Sequence, residues 1–185
     1  MLNTDVNKTL RDEFNEIIEP YINHPKFQKL KHEIHHGITR FEHSIRVAWY
    51  TFLWAKRKGL DYVAATVTGL CHDFFIEEDC EHLTTLEVNK VHGTIAAKNA
   101  QKHFSINELV YDGIANHMYP FTDKPSSPEG VIVQYVDKIV AAYEFFISYN
   151  PVSIAYKKAA QMFPEPDYTQ TLDNEVGPTL SLKRR

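Results

Sequence analysis

The stretch "GLCHDFFIEED", residues 69–79, places an imidazole and a carboxylate directly behind a run of small and apolar residues, Ala64, Ala65, Val67, Leu70 and Cys71. A run of that character predicts a helix buried nearly all round. His72 and Asp73 then ride on its end into the interior. A buried charge is costly unless it is paired, hydrogen-bonded or bound to a metal. Whatever this chain folds into must therefore bring partners to these two residues.

The partners have to come from helices, because the pattern is helical nearly throughout. Thr39 and Glu42 fit a T-x-x-E capping box ahead of "EHSIRVAWYTFLWAKRKG". Gly59 ends that helix, and Asp61 caps "YVAATVTGLCHDF". "HGTIAAKNAQKHF" predicts a third helix, opening near His92. Ser105 and Glu108 form an S-x-x-E box before "LVYDGIANHM". Ser126, Pro128 and Glu129 start "GVIVQYVDKIVAAYEFF", where proline suits a first turn. The β-branched "VIVQYV" alone would suit a strand. Apolar spacing at 132, 135, 136, 139, 140 and 143 favours a helix instead.

Length is consistent with a single domain over residues 1–185, with one sizeable core. Amphipathic helices fill 1–37, the informative motifs lie within about 38–146, and a polar, proline-containing tail occupies about 164–185. A formal net charge of -4 offers no overall basic field for nucleic acid. No apolar run reaches the length of a membrane helix, and the polar start is no signal peptide. Two cysteines outside any CxxC pair read as reduced thiols. These features predict a cytoplasmic protein that binds neither nucleic acid nor membrane. The aromatics Trp49, Phe52 and Trp54 read as core by spacing, and one core suffices for the apolar helices. A homo-oligomer is left open.

Several further polar residues sit on otherwise apolar helix faces. His43 lies in a first turn, with Arg46 three positions on. His117 shares a stripe with Val110, Gly113 and Ile114. Asp137 is embedded in "VQYVDKIVAA", and His92 precedes Gly93. Taken singly, each reads as a hydrogen-bonded core residue. Together, four imidazoles (His43, His72, His92, His117) and two carboxylates (Asp73, Asp137) make the donor set of a metal centre. Adjacent His72 and Asp73 diverge by about 100° on a regular helix, so they converge only where the helix ends.

The order His43, His72-Asp73, Asp137, in "RFEHSIRVA", "GLCHDFF", "VHGTIAAKNA", "IANHMYP" and "VDKIVAAYE", resembles the HD-domain superfamily of metal-dependent phosphohydrolases. The resemblance covers roughly residues 38–146. It implies an all-α helical bundle with metal ligands at its centre. It also implies one or two divalent ions (iron, manganese, zinc, nickel or cobalt, with magnesium a further choice). His43, His72, Asp73 and Asp137 would hold one ion. His92 and His117 match the extra histidines of two-metal members, and Asp73 would bridge. Among small bacterial members the chain is similar to the YqeK type, which splits dinucleoside tetraphosphates, and equally to HD proteins with an "HMxP" segment. Some two-metal members carry His-His where this chain has His117-Met118, which argues against their cleavage of cyclic dinucleotides.

The expected function is hydrolysis of a phosphate ester or anhydride, of a nucleotide or similar small substrate, by a metal-activated water. Asp73 is the catalytic carboxylate. Arg46 and Lys138 are the cations for the phosphate, and Tyr119 lines the substrate pocket. Arg40 and Lys90 read first as solvated or ion-paired. Two alternatives share this ligand set: a di-iron oxygenase of the same fold, and a nucleotide-sensing domain without chemistry.

Overall fold

The computed structural model describes residues 2–35 and 37–149. The expected tail therefore lies outside the described residues. Met1–Ser148 form one compact unit. Helix α1 spans Leu2–Ile22 and α2 spans Pro25–Gln28. A 3-10 turn over Lys29–His32 then leads to two short strands, β1 (Ile34–His35) and β2 (Ile38–Thr39). These pair antiparallel, with Ile34 opposite Thr39. Everything else that is regular among the described residues is helical: α3 (Arg40–Lys58), α4 (Tyr62–Cys71), α5 (Thr85–Phe104), α6 (Glu108–Ala115) and α7 (Pro128–Tyr149). The fold is thus all-α apart from that hairpin.

Local chemistry accounts for most helix ends. Thr39 Oγ1 accepts from Glu42 N–H, and the Glu42 carboxylate accepts from Thr39 N–H at 3.0 Å, completing the capping box of α3. Gly59 ends α3 at φ 68, a left-handed conformation that glycine adopts without a Cβ clash. Asp61 caps α4 through Ala64 N–H at 2.9 Å.

Two expected starts move. Helix α5 begins at a Thr84–Glu87 capping box, so His92 stands well inside it rather than at its head. Ser105 is the left-handed end of α5 at φ 51, and Asn107 caps α6 instead, accepting from Val110 N–H at 3.0 Å. Ser105 is occupied in closing α5, its backbone N–H donating to Gln101 O, and Asn107 is itself among the strongest N-cap residues.

The main core lies between α1, α3, α4, α5 and α6. Phe27, Phe52, Phe74, Leu30, Leu70 and Ile114 are fully buried there. Each such side chain contributes about 1.5–3 kcal/mol of burial. Helices α3 and α4 approach closely at Gly69, where an added Cβ would lie 3.2 Å from Ala48 Cα. A second apolar layer joins Val47, Ala55 and Ala65 to Ile132, Val133, Val136 and Val140 of α7.

The core does not absorb every apolar position. Tyr135, Ile139, Tyr143 and Phe146 on α7 are exposed, as is Trp54 at 37%. Tyr50, Trp54, Ile139 and Tyr143 line an apolar groove of about 760 Å³ between α3 and α7. The expectation that one core covers these helices is therefore corrected. The reason is that α7 packs through its valine stripe and turns its aromatic stripe outward.

Candidate metal centre

Three helices, the end of a fourth and the turn after a fifth converge on a single buried cluster. His43 comes from the first turn of α3, and His72 is the residue that ends α4. Asp73 follows immediately, beyond the regular helix, which frees its carboxylate to point where His72 points. His92 comes from α5, His117 from the turn after α6, and Asp137 from the middle of α7. All six are buried.

Their ligand atoms meet. His43 Nε2 lies 3.2 Å from His72 Nε2 and 3.2 Å from Asp137 Oδ1. His72 Nε2 is 3.5 Å from the same Asp137 oxygen and 3.8 Å from Asp73 Oδ2. The other oxygen, Asp73 Oδ1, lies 3.5 Å from His92 Nε2 and 3.9 Å from His117 Nε2. His92 Nε2 and His117 Nε2 are 3.1 Å apart. Asp73 thus faces two groups of donors, one with each carboxylate oxygen. The division is not absolute, because His117 also groups with His72 and Asp137.

The outer ring nitrogens decide what the inner ones can do. His72 Nδ1 lies 2.8 Å from Gly69 O, His92 Nδ1 3.0 Å from Val88 O, and His117 Nδ1 2.7 Å from Ile114 O. A carbonyl oxygen only accepts, so each Nδ1 donates. His43 Nδ1 lies 2.7 Å from Glu144 Oε2, again an acceptor. In the neutral imidazoles all four protons therefore point outward and all four Nε2 lone pairs point inward. Lone pairs facing each other at 3.1–3.2 Å, with two carboxylates among them, require a positive charge between them. This donor set fits a divalent metal ion.

Until an ion binds, a proton on His43 supplies part of that positive charge. Burial works against a charged His43, but hydrogen bonds with Asp137 and Glu144 and the nearby Asp73 outweigh it and raise its pKa to about 10. His117 moves the other way, to about 4, because burial and the adjacent His72 and His92 disfavour its charge. Asp137 is held well below the carboxylate range; burial opposes this, and His43 and His72 overcome it.

The residues around the cluster behave less uniformly. Arg46 forms an ion pair with Glu144. Lys138 Nζ donates to His117 O at 3.3 Å and Gln134 O at 3.4 Å, and burial lowers its pKa. Tyr119 is 41% exposed in the turn beyond His117. Lys90 is exposed on α5. Arg40 is ion-paired but not solvated. It is buried, donates to Glu33 and to Phe75 O, and stacks over the Phe75 ring at 3.9 Å. Its Nε stands 3.9 Å from Asp73 Oδ2. Cys71 lies in the apolar core, and burial pushes its thiol pKa up.

Two contributors escape a reading by sequence. Glu144 has just been placed behind His43. Asn99 of α5 donates to Phe74 O at 3.0 Å and to Asp79 Oδ2 at 2.9 Å, pinning the segment that follows Asp73. Neither residue has a local signal, since each meets its partner only through the tertiary fold.

Comparison with known proteins agrees with this geometry. The HD-domain family profile matches residues 40–142. Ribonuclease Y of Geobacter sulfurreducens is 28% identical over 123 residues, covering 64% of this chain and 22% of that protein. The chain therefore spans less than a quarter of that relative's length. No solved structure matches the chain significantly.

Proposed function

The chain belongs to the HD-domain family, and from that premise we propose that it is a metal-dependent phosphohydrolase of a small phosphorylated substrate, of the nucleotide class. One observation carries the reading: four imidazole lone pairs and two carboxylates converge at one buried point with every outer Nδ1 already committed. His43, His72, Asp73 and Asp137 would hold one divalent ion, and Asp73, His92 and His117 a second. Iron, manganese, zinc, nickel, cobalt and magnesium all fall within the range of this nitrogen and oxygen set. A bound divalent ion supplies Lewis acidity, acidifying water and polarising a phosphoryl oxygen.

The chain's own residues divide the remaining work. Asp73 offers one oxygen to each donor group and so sets their separation. Lys138 donates only to backbone carbonyls among the described residues, which leaves its charge for a substrate phosphate. Arg46 pairs with Glu144 but stays 37% exposed, and it is the second cation for the phosphate. Tyr119 presents a ring face on which a base can stack. Ribonuclease Y is named for cleaving RNA, whose linkage is also a phosphate ester; the net charge of -4 favours a smaller substrate here. Dinucleoside tetraphosphates, the YqeK-type substrates, are the first to test. Free buried Cys71 and Cys80 suit a reducing compartment such as the cytoplasm. No helix among the described residues is long and apolar enough to cross a membrane.

The test is elemental analysis of protein purified without chelator, followed by a nucleotide and phosphate-ester panel with the metals found. Phosphate release that disappears on chelation is the expected result. Oxygen uptake by an iron form without phosphate release would select the oxygenase alternative. Tight nucleotide binding with no turnover under any metal would select a sensing domain.

A further inference from the structure

Of the four histidines, three turn their outer nitrogen to a backbone carbonyl: His72 to Gly69, His92 to Val88 and His117 to Ile114. Each of those carbonyls lies three or four positions earlier in the chain, so the histidine's own helix or turn supplies it. His43 differs. Its Nδ1 meets a carboxylate oxygen of Glu144, 101 positions away, at 2.7 Å. Glu144 is fully buried, and its other oxygen is paired with Arg46, whose side chain is 37% exposed. The two anchors lie on the same face of α3, three residues apart, and Glu144 reaches both from α7.

A buried carboxylate with one oxygen on an imidazole and one on a guanidinium is fixed in position. The guanidinium compensates its charge, which removes the cost of an isolated buried anion. The imidazole is left one tautomer, with Nε2 aimed at Asp137 and His72. A carboxylate behind a histidine also makes that histidine a stronger base toward a metal than a carbonyl does. Among the described residues nothing equivalent stands behind His92 or His117, whose outer nitrogens meet the carbonyls named above.

We infer that Glu144, locked by Arg46, is a positioning residue that makes the two halves of the metal centre unequal: the half containing His43 binds its ion more tightly than the half built on His92 and His117. The inference rests on the metal-binding part of the proposed function and goes beyond it. Glu144 touches neither substrate nor metal. It acts through His43 alone.

Metal titration with zinc against a chromophoric competitor, using the full chain, measures both halves. Wild type is expected to show two classes of site. Glu144→Ala weakens the tighter class by about 10- to 100-fold and leaves the weaker class in place. Glu144→Ala also empties part of the α3–α7 contact, so Glu144→Gln is measured beside it. Its amide oxygen can still accept from His43 Nδ1, so it recovers part of the affinity while far-UV circular dichroism stays that of wild type. In zinc-loaded wild type, the His43 Nδ1–H proton resonance is expected far downfield. It should move upfield in Glu144→Gln and vanish in Glu144→Ala. The inference is overturned if both classes weaken together in step with lost helicity, or if neither variant changes zinc affinity. A wild-type chain that binds no zinc at all would instead overturn the metal-centre reading itself.

Discussion

His43 and Asp137 stand 94 positions apart in the chain and meet with Nε2 and Oδ1 at 3.2 Å. One is in the first turn of α3 and the other in the middle of α7, so the contact measures how faithfully the two helices dock. Asp137→Asn keeps the side chain's shape and removes its charge. It removes an anionic donor and releases His43, whose high pKa depends on that carboxylate. The expected outcome is a loss of metal affinity of at least about tenfold, with the helices retained. Unchanged affinity in a competition titration would remove Asp137 from the donor set.

Asp73 is the residue that both donor groups share. Oδ2 serves His72 at 3.8 Å and Oδ1 serves His92 at 3.5 Å. Asp73→Ala should therefore abolish binding of both ions and all phosphate release, not half of each. Circular dichroism should stay helical, because Asp73 lies beyond the end of α4. A variant that still carries one equivalent of metal by elemental analysis would contradict the bridging placement.

His117 belongs chiefly to the group around Asp73 Oδ1. Its ring lies against His92 with centroids 5.0 Å apart. His117→Ala should release one ion and retain the one held by His43, His72, Asp73 and Asp137, so metal counting should fall from two to one. Two ions in the variant would mean that the second group closes without it. No ions would mean that His117 serves both groups, as its proximity to His72 and Asp137 would allow.

All six residues of the cluster could be picked out in the chain because burial marks them: a histidine or aspartate inside an apolar stripe needs a partner wherever the helix goes. Helix starts at Thr39, Asp61 and Pro128 were legible for a similar reason, since capping is chemistry between near neighbours. The start of α5 was not. Residues 85–91, "TLEVNKV", lie mostly on the surface, so the apolar rhythm begins only near His92 and the capping box at Thr84 is easily passed over. Glu144 was hidden for a different reason. In "AAYEFFISY" it reads as one solvated charge on an apolar helix, and its partners His43 and Arg46 arrive only when α7 docks on α3. Arg46 itself was visible as a cation near the site, but sequence order says nothing about which anion claims it.

Gly93 sits one position after His92, where α5 passes the end of α6. A Cβ added there would lie 2.8 Å from Ala115 O, 3.0 Å from Ile114 O and 3.1 Å from His117 Nδ1. Two of those atoms are backbone and cannot swing aside. Gly93→Ala gains up to about 1 kcal/mol of helix propensity, but overpacking of this kind costs about 1–3 kcal/mol, so a net loss of stability is expected. The more telling effect is on His117, whose hydrogen bond to Ile114 O shares the same space. Weaker binding of the second ion should accompany a lowered melting temperature. A variant as stable as wild type with both ions bound would show that α5 and α6 have slack at this contact.

Asp79 ties three segments together outside the metal centre. It pairs with Lys26 of α2 at 2.9 Å, and its other oxygen accepts from Asn99 Nδ2 at 2.9 Å and Ile76 N–H at 3.1 Å. Burial pushes its pKa up, but Lys26, the Ile76 N–H and Asn99 together hold it below the usual 3.8. A carboxyl group whose folded-state pKa is depressed adds stability above its unfolded value, and that stability is lost as pH falls through the folded value. In chelated protein, the wild-type melting temperature should therefore fall more steeply than that of Asp79→Asn as pH drops from about 5 to about 2. The two curves should converge at the acid end, where both side chains are neutral. Because Asn99 also holds Phe74 O, loosening this tie should slacken the segment just after Asp73, and Asp79→Asn should bind metal somewhat more weakly at neutral pH. Parallel melting curves across the whole range would mean that Lys26 and Asn99 leave Asp79 as it is in the unfolded chain.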